Sequence, residues 1–314
     1  MTGVIKRARD KLEIASINFL IKFIMKQTKK FALLFLGLLF IGLQGCTSDK
    51  ENEPVINLDQ EAFDAANAVN GSRLYNDFTA QETGFVAPQD ASVKLVDITD
   101  HKDFYRCKQC HAWDQKARFG SYIDRAPNNG RPDVSAVELT NMQSADIRAL
   151  FDDIKGTGGG AVDPARTADG TNPALGGNNH PDYGTILSDG QIWDLVKFLK
   201  EGAFDTDALY ETNIVGTYPT GSASYSDIGR DGKAAAGDAF YASNCASCHG
   251  ADGTTISFGG RSMGEFAKDK TYELQFKVVS GQLGSSMGAT PITLNEMKDL
   301  LKALDDETKY PPID

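Results

Sequence analysis

Cys107-Lys108-Gln109-Cys110-His111 and Cys245-Ala246-Ser247-Cys248-His249 place the same string, Cys-x-x-Cys-His, at two separate points of the chain. Two thiols three positions apart, with an imidazole directly behind the second, can all be satisfied by one flat apolar group. Its two vinyl arms take the sulfurs as thioethers and its metal takes the histidine, and that group is haem. For this composition the string arises by chance on the order of 0.001 times per chain, so two copies are not an accident. A fold that holds such a string must close around a rigid porphyrin, which restricts the chain more than any other feature it has.

Two other sites use the same cysteine spacing. Zinc takes about four nitrogen or sulfur ligands in one cluster, whereas each string offers three within five residues. A redox-active dithiol has no use for a trailing histidine, least of all twice. The favoured reading is therefore two covalently bound haem c groups. Cys107, Cys110, Cys245 and Cys248 would be the thioether sulfurs, and His111 and His249 the first ligands of each iron.

These strings take four of the five cysteines and leave none for a structural disulfide. The fifth, Cys46, follows the basic Lys26, Lys29 and Lys30, the apolar run Phe31 to Leu43, and Leu43-Gln44-Gly45. This arrangement resembles a bacterial lipoprotein signal, in which the cysteine is acylated and becomes the mature N-terminus. The run is about 13 residues, short of the 17 or more that a spanning helix needs. Residues 1–45 are read as signal, with the start read at Met25. Residues 46–57 are read as a lipid-anchored polar tether in which Ser48-Asp49-Lys50-Glu51 resembles an acidic surface-export signal. The expectation is an exported bacterial lipoprotein, facing the periplasm or on the cell surface.

Export also sharpens the charge. The whole chain has 32 basic and 43 acidic residues; without the 8 basic and 2 acidic residues of 1–45 it keeps 24 and 41, a net charge of −17. Such acidity excludes nucleic acid as a partner and suits a redox protein with a basic docking surface, while also keeping the protein soluble.

From about Glu211 to Asp227, Gly216, Pro219 and Gly221 among Ser, Thr and Tyr interrupt the helical pattern. The expected organisation is a first domain at 58–210, a linker at 211–227 and a second domain at 228–314. The two domains end alike. Ser188-x-x-Gln191 and Thr293-x-x-Glu296 are capping boxes, each opening a helix with the same apolar stripe: Ile192, Leu195, Val196 and Leu199, and Met297, Leu300, Leu301 and Leu304. A preceding helix carries Ile147, Leu150, Phe151 and Ile154 and stops at Gly156; its counterpart carries Tyr272, Phe276 and Val279 and stops at Gly281. A third helix is expected ahead of each haem string, clear in Lys233 to Asn244 and fainter around Asp103 to Lys108.

Helix, Cys-x-x-Cys-His, loop, helix, ligand loop and terminal helix is the order of the class I cytochromes c, and both domains resemble that family. Gly237-Asp238-Ala239-Phe240-Tyr241 leading into Asn244 to Gly250 carries the resemblance most closely. Arg106 to Asp114 resembles a subgroup of exported bacterial cytochromes with a longer loop after the haem. From His111 to Gln191 there are 80 positions, against 47 from His249 to Glu296, and the Gly-rich stretch 156–179 holds most of the surplus. The fold class implied is mainly α, two tandem cytochrome c-like helical domains each wrapped around one covalent haem.

In this family the sixth iron ligand sits on the loop between the last two helices. For the second haem, Met287 is the iron-binding side chain of that loop. Met297 matches the core position of Ile192, and Met263 comes too early. The first domain has no methionine there but has His180-Pro181, so His180 is the ligand the resemblance implies, ahead of Met142 and His101. Methionine opposite histidine raises the potential and a second imidazole lowers it. The resemblance thus implies an electron relay from a lower-potential His/His haem to a higher-potential His/Met haem, with no catalytic residue. Other readings are an exported dihaem enzyme, similar to thiosulfate dehydrogenases or dihaem peroxidases, and the cytochrome subunit of a membrane oxidoreductase.

Overall fold

A computed structural model describes residues 57–79, 106–127, 133–134, 142–156, 183–185 and 187–313, all within the compact unit Asn57–Asp314. The readings placed on Cys46, His101, His180 and the Gly-rich stretch beyond Gly156 lie outside the described residues. Among the described residues no helix is long and apolar enough to cross a membrane.

The first half contains α1 (Leu58–Ala65), α2 (Ala68–Asp77), α3 (Cys107–His111), α4 (Ile147–Lys155) and α5 (Asp189–Lys197), the last widening into a π-turn over Phe198–Gly202. A hairpin of β1 (Glu211–Val215) and β2 (Ser222–Ser226) follows, antiparallel, with Glu211 opposite Ser226 and Val215 opposite Ser222. The second half contains α6 (Ala234–Asn244), α7 (Ala246–His249), α8 (Met263–Asp269), α9 (Thr271–Ser280) and α10 (Leu294–Leu304).

Local sequence explains where the helices start and stop. Both terminal helices have their capping boxes formed: Gln191 N–H donates to Ser188 Oγ at 3.3 Å, and Glu296 N–H to Thr293 Oγ1 at 3.3 Å. Their apolar stripes are buried, with Ile192, Val196, Met297 and Leu301 fully enclosed. Helix α4 is capped by Asp146, which accepts from Arg148 and Ala149 N–H, and ends at Gly156 in the left-handed region. Helix α9 ends at Gly281, φ +77°, where a Cβ would stand 2.7 Å from the Met287 carbonyl.

The capping carboxylate of α10 gives a pH prediction. Thr293 N–H and then its hydroxyl donate to Glu296 and hold its carboxyl below the ordinary glutamate value. A folded-state pKa below the unfolded one stabilises above the unfolded value, about 4.3, and this stabilisation is lost as pH falls through the depressed value. Glu296→Ala is therefore expected to lower the melting temperature at pH 7, and the difference from the unmodified protein should shrink in acid below pH about 4.

One geometry recurs in the two halves. Helices α2 and α5 cross at Gly71, where a Cβ would meet the Asp194 carbonyl oxygen at 1.9 Å and Phe198 Cβ at 2.8 Å. Helices α6 and α10 cross at Gly237, where a Cβ would meet the Asp299 carbonyl oxygen at 1.9 Å and Ala303 Cβ at 2.8 Å. Four residues before each glycine a backbone N–H donates to the same aspartate: Asn67 to Asp194 Oδ1 at 2.7 Å, and Lys233 to Asp299 Oδ1 at 2.6 Å.

Three local features add to or differ from the expectations. The helix expected faintly around Asp103 to Lys108 begins outside the described residues, and α2, which was not expected, ends at Asp77, well upstream of Cys107. The stretch expected as a linker is a paired hairpin, and its Tyr225 packs between Tyr210 at 5.4 Å and Tyr272 at 5.3 Å. Helix α8 was not anticipated, although Ser262-x-x-Glu265 forms a full capping box at its start. Among the described residues most buried apolar side chains form one cluster running through both halves, from Phe63 to Tyr310, and Ala112, Ala117, Tyr122 and Val134 form a second, smaller one.

Candidate haem sites

The second string is built onto the end of α6. That helix breaks at Cys245, φ −121° and ψ −39°, and α7 restarts at once, with Cys248 N–H donating to the Cys245 carbonyl at 3.1 Å and His249 N–H to the same oxygen at 3.0 Å. Spacings of three and four on a helical turn put Cys245, Cys248 and His249 on one face. Gly250, φ +84°, then turns the chain sharply. Its carbonyl accepts from Tyr241 Oη at 2.9 Å, which ties the end of the string to the middle of α6.

His249 is 8% exposed, and its Nδ1 is buried without a hydrogen-bond partner. Burial holds its pKa below the ordinary histidine value, so the imidazole is neutral and keeps a lone pair for a metal. Phe258 stacks on the ring at 5.5 Å, and Phe266 packs on Phe258 at 5.1 Å. Desolvation pushes the Cys245 thiol up to about 11, and the Cys107 and Cys110 thiols up to about 12. All three are neutral thiols at pH 7, the opposite of what a redox dithiol needs. Among the described residues no group of three or more His, Cys, Asp or Glu side chains could hold a metal ion. A buried neutral imidazole beside two unpaired thiols on one helical face fits haem bound through thioethers, with His249 toward the iron.

The first string has the same plan with different supports. Helix α3 is the string itself, and Arg106 ties it to the end of α2 through the Asn76 carbonyl at 2.6 Å and Asn76 Oδ1 at 2.9 Å. Ala112 stands where Gly250 stands in the second half. It has φ 64° and ψ −178°, a region essentially reserved for glycine, and its carbonyl accepts from Tyr75 Oη at 2.6 Å. Tyr75 lies four residues after Gly71, as Tyr241 lies four after Gly237. Beyond it Asp114 is buried, accepting from Ser121 N–H at 2.8 Å and Lys116 N–H at 3.2 Å, and burial raises its pKa.

Met287 lies partly buried on the loop after α9. Its N–H donates to Ser285 Oγ at 3.1 Å, its carbonyl accepts from Gln282 N–H at 2.9 Å, and Thr290 N–H returns to the Val278 carbonyl at 2.9 Å. Met297 is fully buried under α10, as its place in the apolar stripe implies. Met263 is a core residue of α8. The residues that sequence reasoning missed are Tyr75 and Asp194 of the first half, and the signal was present in Gly71-x-x-x-Tyr75 set beside Gly237-x-x-x-Tyr241.

The second half thus has the build of a helical domain that closes over a covalently attached haem. Residues 234–307, from the first turn of α6 to just beyond α10, match the family model for cytochrome c. No curated protein and no solved structure matches the chain. A cytochrome c domain is present in a helix-rich chain, and with it come covalently bound haem c and haem-based electron transfer.

Proposed function

We propose that this protein is a dihaem electron carrier, held by a lipid on Cys46 outside the cytoplasm, that passes electrons from a lower-potential first haem to a higher-potential second one. The observation that carries the reading is the repeated framework around Cys107 to His111. Gly71, Asp194, Tyr75 and Ala112 of the first half stand in the relations of Gly237, Asp299, Tyr241 and Gly250 in the cytochrome c domain.

In each half the two cysteines would hold the porphyrin through thioethers and the histidine at the end of the string would ligate the iron. The resemblance supplies Met287 as the further iron ligand in the second half and His180 in the first. Bound haem supplies one-electron exchange between ferrous and ferric iron. The chain holds the ligands in place, excludes water with Phe258 and Phe266 on one side of His249, and sets the two potentials apart by its choice of ligand. The net charge of −17 on the mature chain suits donors and acceptors that dock through basic patches.

Two protein ligands to each iron would leave neither with a position open to substrate. The ferrous protein is expected to bind no carbon monoxide at pH 7 and to leave its absorption bands unchanged on that gas, and turnover with peroxide or thiosulfate should be absent. Stoichiometric carbon monoxide binding at one haem, or rapid turnover of either substrate, would favour an exported dihaem enzyme instead.

A further inference from the structure

The two halves meet at Trp113, two residues beyond His111. From α9 of the second half, Phe276 packs on its indole at 4.6 Å between ring centroids, and Gln275 Nε2 donates to its carbonyl at 3.1 Å. The next residue, Lys277, places its ammonium 4.5 Å from the indole centroid, and Lys108, inside the first haem string, places its own at 4.0 Å. Arg106, directly before that string, acts electrostatically on both.

These cations are gathered where solvent is largely excluded. The Lys277 side chain is 13% exposed and that of Arg106 15%. Burial first, then Arg106 and Lys277, bring the Lys108 ammonium down to about 7, while Glu273 and Asp77 act in the other direction. Glu273 lies 3.9 Å from Lys277, and Asp77 lies 3.8 Å from Arg106. Two carboxylates thus face Arg106, Lys277 and a Lys108 that is about half protonated at pH 7, which leaves a small excess of positive charge packed against the first haem string. Positive charge in a poorly solvated region stabilises a neighbouring centre that has gained an electron, and the interaction is screened far less than at the surface.

We propose that Lys277, contributed by the second half, is a positioning residue for charge at the first haem. With Lys108 and Arg106 it raises that haem's affinity for an electron and so narrows the gap that a second imidazole ligand opens. The inference rests on the reading that Cys107 and Cys110 carry haem. Through this cluster the helix that leads into the Met287 loop also acts on the other redox centre. The step concerned is a single electron: the first iron goes from ferric to ferrous on reduction, and the donor protein loses the electron it gains.

The test is a spectroelectrochemical titration of the full-length haem-loaded protein. The near-infrared sulfur-to-iron band reports the Met287 haem, so the two midpoints can be assigned. Lys277→Gln is expected to move the first haem's midpoint to more negative potential and to leave the second nearly in place, whereas Lys277→Arg should keep both. Glu273→Gln, which removes the counter-charge, should move the first midpoint the opposite way, and it serves if Lys277→Gln fails to accumulate. An unmoved first midpoint in Lys277→Gln or Glu273→Gln, or an equal shift in Lys277→Arg, would overturn the proposal while leaving the dihaem reading intact. A protein mass showing no haem at the first string would remove both.

Discussion

Gly237→Ala is expected to destabilise the cytochrome c domain by about 3 kcal/mol or more, the upper end of overpacking effects. In a free helix the same change would help by nearly 1 kcal/mol, so the sign is decided by space. A Cβ at position 237 would stand 1.9 Å from the Asp299 carbonyl oxygen and 2.8 Å from Ala303 Cβ, and helices α6 and α10 would have to separate. That separation would also strain the bond from Lys233 N–H to Asp299 and shift the start of α6 relative to the haem string at its end. Gly71→Ala has the same 1.9 Å clash with Asp194 and is expected to do the same to the first half. Gly190→Ala is the control, because its nearest neighbour, Ser188 Oγ, is 4.0 Å away. Thermal unfolding followed by circular dichroism should show large losses for the first two variants and none for the third. Unchanged melting in Gly237→Ala would contradict the crossing described above.

The second large effect concerns the iron ligands. On the proposed reading, Met287→Ala removes sulfur from the second iron, abolishes the near-infrared charge-transfer band and lowers that haem's potential, leaving the first haem as it was. His180→Ala should keep the band and alter only the first haem, opening its iron to carbon monoxide. Absorption spectra and redox titrations of the two variants measure this directly. Retention of the band in Met287→Ala would assign the sulfur ligand elsewhere. Each pattern is specific because the two ligands differ in kind as well as in place.

Much of this was legible in the sequence because it is encoded over short spans. Ser188-x-x-Gln191 and Thr293-x-x-Glu296 fix helix starts with four residues each, and the stripes behind them fix the buried faces. Gly156 and Gly281 announce helix ends because the backbone there takes positive φ. Helix α2 is not legible because Ala68 to Asp77 has only Val69, Leu74 and Tyr75 as sizeable apolar residues. It is also separated from its haem string by about thirty residues, where α6 runs straight into its own. Helix α8 is seven residues long, too short for its periodicity to stand out. The hairpin was read as a break because Gly216, Pro219 and Gly221 are turn formers, and the alternation in Ser-Ala-Ser-Tyr-Ser is too polar to signal a strand. The charge cluster at Trp113 could not be read at all, because Lys108 and Lys277 are brought together only by the packing of α9 on the first half.

A second covalent haem in the half of the chain outside the cytochrome c domain is what the relay requires above all. The intact mass of the purified native protein tests it most directly. The expected mass is that of the processed chain plus two haem groups, with peptides containing Cys107 to His111 and Cys245 to His249 each carrying one. One added haem, found only on the second peptide, would contradict it.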